Sequence, residues 1–316
     1  MTSYMTKLRL LSGSLFLALL ALAFFAAHSA FAEPDGAASS VPITTVVTVL
    51  GPKFTAPPPL GKDDVIVHLK DQRADITAWD SAQGEHGQLQ LAILIDDGVN
   101  LGPRLSDLRH FIQTLPNSTS VGVFYASNGA TLSVVPFTTD HEGAAAKTRI
   151  TLGPGSTSTS IYLSTIDVMK KLEPLSGRRE ILLIGDGHDR LRGDLQSPDV
   201  DRVISSAQKT GIVIHTLYSS AGGRRRNSFR SNLAQGNLLK VSSGSGGQSF
   251  FQGLDTPISF TPFLDQLDMV LHNQYFLTFA TERSTKKHGE FRNLKVTTEQ
   301  RDTSITVQSQ AFVPGL

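Results

Sequence analysis

Short apolar runs alternate with helix-like segments through the middle of the sequence. The apolar runs are short enough to be strands buried on both faces, and they occupy residues 89–95, 121–125, 131–136, 181–185 and 212–217. Apolar residues recur at helical spacing within residues 105–115, 161–172, 200–207 and 260–271. Strands that alternate with helices predict an α/β fold, so residues 88–272 are expected to form one domain with a mostly parallel central sheet flanked by helices.

Alternation of apolar and polar residues predicts small β segments on both sides of this domain. Residues 41–82 are expected to form a small β unit with strands at 43–50, 65–70 and 76–79. Residues 273–316 are expected to form a C-terminal segment with strands at 275–279, 291–298 and 304–312. The last two strands predict a hairpin around the turn at 299–302, and the three C-terminal strands either extend the central sheet or pair with the β unit. The Gly/Ser-rich stretch 242–249 predicts a loop.

The first 32 residues have the pattern of a signal peptide. Lys7 and Arg9 precede an apolar run at 15–27, and Ala30-Phe31-Ala32 provides the small residues of a cleavage site. Cleavage would leave residues 33–40 as a disordered lead-in, whereas retention of the apolar run would leave a membrane anchor. We expect an exported protein, periplasmic or secreted, with no membrane association beyond the signal peptide.

Composition removes several classes of function. The chain has no cysteine, which excludes disulfides, thiolate metal sites and cysteine nucleophiles. A formal net charge of +1 gives no electrostatic case for nucleic acid as a partner. The basic run at 224–226 is expected to be a solvated loop rather than an anion site, because no second basic cluster accompanies it.

Oxygen-rich segments follow two of the predicted strands and precede one predicted helix. Asp96-Asp97-Gly98-Val99-Asn100 ends the first core strand, Gly185-Asp186-Gly187-His188-Asp189 ends the fourth, and a Gly/Ser/Thr loop occupies 153–159. In an open α/β sheet, ligands bind where the carboxyl ends of strands face helix N-termini. Hard oxygen ligands at such an edge suit Mg²⁺ or Ca²⁺. Because adjacent strand residues point to opposite sides, only one of Asp96 and Asp97 is expected to face this edge.

These motifs resemble the von Willebrand factor type A (VWA) domain, whose metal-ion-dependent adhesion site combines an Asp-x-Ser-x-Ser loop, a distant Thr and a distant Asp. The resemblance implies a Rossmann-like fold and a Mg²⁺ or Ca²⁺ site formed by Asp96, Asn100, Thr157 and Asp186. Gly98 and Asn100 stand where the family has its two serines. This departure implies either a weaker ion site or a domain that kept the fold and lost the ion.

The flanking β segments resemble the exported bacterial "VWFA-related" family common in acidobacteria. The similarity is carried by residues 60–65 and 67–71 before the domain and by 274–277 and 289–292 after it. This family implies binding and assembly outside the cytoplasm and no defined reaction.

No sequence motif of an enzyme class is found. The chain has no Gly-x-Ser-x-Gly, phosphate-loop, dinucleotide or His-Glu-x-x-His pattern, and His215 lies inside a predicted strand as a core side chain. We therefore expect a non-enzymatic adhesion-type protein whose partner supplies an Asp or Glu to the ion. Two alternatives remain: a metal-free scaffold of the cell envelope that binds through the loop 222–230, and a hydrolase with His188 as its base.

Overall fold

The computed structural model describes residues 40–153, 158–193, 197–221 and 228–315. By its contacts the chain divides into Met1–Ser40 and Val41–Leu316, and the architecture below is that of the second unit. The predicted signal peptide, the lead-in apart from Ser40, the proposed ligand Thr157 and residues 222–227 lie outside the described residues.

The described residues form fourteen strands and six α-helices. The strands are β1 Ser40–Leu50, β2 Val65–Leu69, β3 Gln72–Ala74, β4 Ile76–Ser81, β5 Leu89–Asp96, β6 Thr119–Ser127, β7 Ala130–Thr138, β8 Arg178–Gly185, β9 Val213–Tyr218, β10 Ser249–Phe250, β11 Gln274–Glu282, β12 Glu290–Thr298, β13 Ser304–Thr306 and β14 Gln310–Val313. The helices are α1 Leu105–Thr114, α2 His141–Lys147, α3 Ile161–Leu172, α4 Asp199–Thr210, α5 Ser228–Ser245 and α6 Thr261–His272. No helix in these ranges is long and apolar enough to cross a membrane.

The central sheet has six strands in the order β10-β9-β8-β5-β6-β7. Its neighbours are parallel except for the antiparallel pair β6 and β7 at one edge. Counted from β5, this order is the 3-2-1-4-5-6 arrangement of a doubly wound sheet, with the change of direction between β5 and β8. The predicted Rossmann-like α/β fold is confirmed.

Helices cover both faces of the central sheet. On β5, Leu91, Ile93 and Ile95 belong to the apolar cluster that includes α1, α2 and α6. Ala92 and Leu94, which point the other way, belong to the cluster that includes α3, α4 and α5. The apolar runs that form β5, β6, β8 and β9 are therefore strands buried on both faces, as predicted. The run at 131–136 lies in β7, which is an edge strand and largely exposed.

The N-terminal and C-terminal β segments together form a two-sheet sandwich. One sheet has the order β13-β1-β11-β4 and the other β14-β12-β2-β3. Their shared core contains Val47 and Val49 of β1, Val67 of β2, Phe279 of β11 and Val296 of β12. Residues 41–82 and 273–316 therefore meet in one core, and the C-terminal strands pair with the N-terminal ones rather than extending the central sheet.

The C-terminal strands depart from the prediction. Residues 304–312 are not one strand, because β13 pairs with β1 in one sheet and β14 pairs with β12 in the other. The predicted strands 275–279, 291–298 and 304–312 are also not neighbours in one sheet, since β11 and β12 lie in different sheets. The break has a tertiary cause: the N–H of Ser309 bonds to the carbonyl of Gly244 at 3.1 Å, which ties the chain to the end of α5.

The predicted loop at 242–249 is correct only for residues 246–248. Residues 242–245 form the last turn of α5, and Ser249 begins β10. The absence of a side chain at Gly244 lets α5 pack closely on α4, because an added Cβ would lie 2.8 Å from Cγ2 of Ile204. Residues 228–230, which the sequence assigned to the basic loop after β9, are the first turn of the same helix.

Candidate functional site at the rim of the central sheet

The candidate site lies at the carboxyl ends of the parallel strands. We call this edge the rim: the loops 97–104, 186–193, 219–221 and 251–260 that follow β5, β8, β9 and β10, with the described parts of 148–160. Asp96 is the last residue of β5, Asp186 follows β8 directly, and both side chains are buried. These two predicted site residues, 90 positions apart (186 minus 96), are brought together.

Arg190 joins the two carboxylates. Its Nη1 lies 2.8 Å from Oδ2 of Asp96, and its Nη2 donates to Oδ2 of Asp186. The backbone N–H of Arg190 bonds to the carbonyl of Thr159 at 2.8 Å, which fixes the arginine against the loop before α3. The guanidinium thus forms charge-assisted bonds to both aspartates from one position.

The remaining carboxylate oxygens also have donors. Oδ1 of Asp96 accepts from the Thr159 hydroxyl at 3.0 Å and from the N–H of Gly98 at 2.9 Å. Oδ1 of Asp186 accepts from the N–H of His188 at 3.0 Å. All four oxygens of the pair are therefore engaged by the protein itself.

The environment divides the pair into two unlike carboxylates. Burial raises the pKa of Asp96 and the neighbouring Asp186 raises it further, so the pKa stays above its ordinary value although Arg190 opposes both effects. Burial also acts to raise the pKa of Asp186, but His188 and Arg190 outweigh it and hold that pKa below its ordinary value. Asp186 is therefore the more acidic of the two carboxylic acids.

The other proposed ligands are not part of this pair. Asn100 is exposed, and its Oδ1 lies over Gly102, where an added Cβ would be 2.7 Å away. Thr157 lies outside the described residues, whereas Thr159, at the end of the same Gly/Ser/Thr loop, donates its hydroxyl to Asp96. Sequence reasoning missed Thr159 and Arg190. The available signal for Arg190 was its position four residues after Asp186, with opposite charge.

The arrangement around Arg190 does not fit a divalent cation between the aspartates. Such an ion needs about six or more oxygen ligands, and the oxygens that would face it are bonded to the guanidinium. Gly98 contributes no hydroxyl, and a Cβ there would already lie 3.5 Å from Nη1 of Arg190. An ion and this guanidinium would compete for the same oxygens.

Asp97 points away from the pair, as predicted for adjacent strand-end residues. It forms a bidentate pair with Arg149, with N–O distances of 2.9 and 2.7 Å, and accepts the N–H of Leu152 at 2.9 Å. The Arg149 guanidinium lies 4.0 Å from the centre of the Tyr125 ring. These contacts fix residues 149–153 on the rim.

His188 pairs with one of the site aspartates. Its Nδ1 lies 3.3 Å from Oδ1 of Asp186, and its side chain is partly exposed. A catalytic base needs a nucleophile or a bound water within hydrogen-bond reach. The separation is that of an ion pair, since Nδ1 of His188 has no hydrogen-bond partner among the described residues. An aspartate in this position can orient a histidine but is not itself a nucleophile, so the pair alone does not make His188 a catalytic base.

Large apolar side chains are exposed on the rim. Leu152, Leu191 and Ile258 expose 62%, 44% and 92% of their surface, and Ile150 and Phe251 are also exposed. The backbone beside them is ordered: Leu191 donates its N–H to Thr159, and the carbonyl of Pro257 accepts from Arg104 at 2.8 Å. The described residues include eight such exposed side chains, and five lie on the rim.

Neither a protein-family model nor a curated protein matches the sequence. The chain is similar to solved structures of an aerotolerance-related membrane protein from Bacteroides fragilis NCTC 9343 (14% identity, TM-score 0.40) and of BatB from Bacteroides thetaiotaomicron (15%, 0.42), with 58% of this chain and 98% of the other covered in both. It is also similar to the ArnB paralog VWA2 from Sulfolobus acidocaldarius (10%, 0.35), with coverage of 88% and 76%. At these identities the likeness does not extend to function.

Proposed function

We propose that this chain is an exported, non-catalytic binding protein that docks a protein partner on the rim of its VWA-like domain. The observation that carries the proposal is the concentration of exposed apolar side chains there: five of the eight in the described residues lie on the rim loops. Single exposed apolar residues are ordinary on any surface, but their accumulation on one edge is typical of an interaction site. The carboxyl edge of an open α/β sheet is also where such folds bind ligands.

The charges of the rim indicate the chemistry of the partner. The acidic members of its ion pairs are buried, with side-chain exposures of 3% for Asp97 and 0% for Asp96. Their partners Arg149 and Arg190 reach the surface, with exposures of 32% and 23%. The surface therefore offers guanidinium groups among apolar side chains. A segment with apolar residues and an Asp or Glu would complement it.

Export and the absence of catalysis are parts of the same proposal. The signal-peptide pattern in residues 1–32 supports export to the periplasm or the medium. The sequence has none of the common catalytic motifs, which supports a binding role over hydrolysis. A cell-envelope scaffold that needs no metal is one form of this function, and Arg190 favours that form.

Affinity capture from the native envelope fraction tests the docking surface. The immobilised chain is expected to retain a partner, and a variant that combines Ile150→Ser and Leu152→Ser is expected to lose it. Leu239→Ser is the matched control, because Leu239 is exposed to 48% on α5, outside the rim loops. Equal capture by the double variant and the wild type would refute docking on this face.

A further inference from the structure

We infer that Arg190 is a tethered cation that takes the place of the divalent ion in the adhesion-type site, so that the rim is held in one state without metal. The inference concerns the same rim as the proposed function. Its test needs no partner, so the two can fail separately.

The first support is the way in which Arg190 connects the strands. A bridging ion in this position would join a carboxylate at the end of β5 to one at the end of β8. Arg190 makes this connection with one nitrogen to Asp96 and one to Asp186. Both carboxylates are buried, and Arg190 supplies the positive charge between them.

The second support is that the loop holds Arg190 in place. Asp189, the preceding residue, accepts bonds from the hydroxyls of Ser160 and Ser197, each at 2.9 Å, and from the N–H of Arg192 at 3.1 Å. The N–H groups of Arg190 and Leu191 both bond to the Thr159 carbonyl. The loop therefore fixes the backbone of Arg190, and the planar guanidinium reaches both carboxylates from that position.

The third support is that two departures from the family pattern fit each other. The family has a serine where Gly98 stands, and Arg190 fills the space beside that glycine. A Cβ at position 98 would make a tight contact of 3.2 Å with Oδ1 of Asp96 and would lie 3.5 Å from Nη1 of Arg190, so the guanidinium lies next to the position where the family has its serine. The absence of a serine hydroxyl at position 98 and the presence of the Arg190 guanidinium beside it are therefore consistent with each other.

Thermal unfolding in EDTA, Mg²⁺ and Ca²⁺ at matched ionic strength tests the inference. The wild type is expected to have the same midpoint in all three, because its carboxylates already have their cation. Arg190→Met is expected to have a lower midpoint in EDTA and to recover about 2 °C or more in millimolar Mg²⁺ or Ca²⁺, because binding to the native state stabilises it. Arg192→Met is the control, since Arg192 pairs with Asp199 and touches neither site aspartate.

Three results would overturn the inference. The wild type could itself gain stability from Mg²⁺ or Ca²⁺ in a way that EDTA reverses. Arg190→Met could match the wild type in EDTA, or it could lose stability without recovering in either ion, which would make Arg190 an ordinary structural residue. If Arg190→Met does not fold, calorimetric titration of the wild type with Ca²⁺ decides: no binding heat is expected, and saturable binding abolished by Asp186→Asn would refute the inference.

Discussion

Gln274 and Glu180 connect the β-sandwich to the central sheet, with Nε2 of Gln274 lying 3.3 Å from Oε2 of Glu180. Gln274 begins β11 and Glu180 lies in β8, and both side chains are fully buried. The same glutamine donates to the hydroxyl of Thr48 in β1 at 3.3 Å and accepts a bond from Arg178. The two parts of the molecule therefore share one buried polar network.

The network balances a buried carboxylate with a buried guanidinium. Arg178 Nη1 lies 3.6 Å from Oε1 of Glu180 and donates to the carbonyl of Leu271 at 2.8 Å. His215 contributes as a neutral ring: its Nδ1 accepts the N–H of Gln248 at 3.0 Å, so its Nε2 carries the proton that bonds to Glu180 at 2.7 Å. His215 is thus the core side chain that the sequence predicted.

Removal of Glu180 is expected to destabilise the whole described unit. Glu180→Ala leaves the Arg178 guanidinium buried without its counter-charge, and loss of one partner of a buried ion pair costs about 3–5 kcal/mol. Urea unfolding of the variant measures the loss. Glu299→Ala, at an exposed position after β12, is the control and is expected to stay within about 0.5 kcal/mol of the wild type. A loss below about 1 kcal/mol for Glu180→Ala would show that the network adds little stability.

The same glutamate is expected to make stability depend on acid pH. Burial acts to raise the pKa of Glu180, but the bond from His215 and the charge of Arg178 hold it below its ordinary value of 4.5. The unfolded chain therefore takes up this proton first as the pH falls. The stabilisation by ionised Glu180 is complete above pH 4.5 and decreases as the pH falls through the lower folded-state pKa.

Urea midpoints across an acid pH series, compared between the wild type and Glu180→Gln, measure this contribution. Between about pH 7 and pH 5 the difference in unfolding free energy is expected to be constant, and at lower pH it is expected to shrink because only the wild type loses an ionised partner. A difference that widens on acidification would mean that the folded-state pKa is raised instead.

The elements that the sequence predicted best are those whose pattern is local. Continuous apolar runs placed β5, β6, β8 and β9 of the central sheet, because strands buried on both faces need apolar residues at every position. Helix α5 was missed because its buried side includes Ser231, Asn237 and Ser242 in place of large apolar residues. The interruption of 304–312 has no local signal, since it depends on a bond between Ser309 and Gly244.

The candidate site was predictable in part for the same reason. Asp96 and Asp186 follow apolar strands, so the rule for parallel sheets brought them to one edge. The role of Arg190 depends on a residue 94 positions earlier, and no spacing rule identifies such a partner. Arg190 reaches both aspartates only because the loop after β8 packs against Thr159, which is a tertiary contact.

Gly187 is expected to be the least replaceable glycine of the rim. It has a φ of +76°, and an added Cβ would collide with the carbonyl of Ala234 in α5. Its own carbonyl accepts the hydroxyl of Tyr162 at 2.8 Å, so a backbone shift would break a buried bond. Gly187→Ala is expected to cost about 3 kcal/mol or more in urea unfolding, through left-handed strain and steric overlap together.

Gly193 provides the matched control for that substitution. Its φ is +72°, but an added Cβ would meet no atom within 4 Å. Gly193→Ala is therefore expected to lower the free energy of unfolding by roughly 1–2 kcal/mol, which is the conformational strain alone. Equal losses at the two positions would mean that the space beside Ala234 does not determine the cost.

Tyr125 is expected to make stability depend on alkaline pH. Its hydroxyl donates to the carbonyl of Arg149 and accepts the N–H of the same residue at 3.0 Å. Burial raises the pKa of Tyr125 to about 12, although its bond with Arg149 opposes the rise. The unfolded chain ionises at about pH 10, so the stabilisation by neutral Tyr125 is complete below that pH and is lost as the pH rises through 12.

Tyr125→Phe separates this ionisation from the rest of the molecule. At about pH 8 the variant is expected to be less stable by about 1–3 kcal/mol, because it loses two hydrogen bonds to Arg149. Above about pH 10 the difference from the wild type is expected to narrow, since phenylalanine has no proton to lose in the unfolded state. Urea unfolding at each pH measures the difference, and a tyrosinate absorbance titration reports the ionisation directly. If Tyr125 ionised in the folded protein at the same pH as in the unfolded chain, the difference in unfolding free energy between the variant and the wild type would stay constant. The contact between Tyr125 and Arg149 would then not cause alkaline instability.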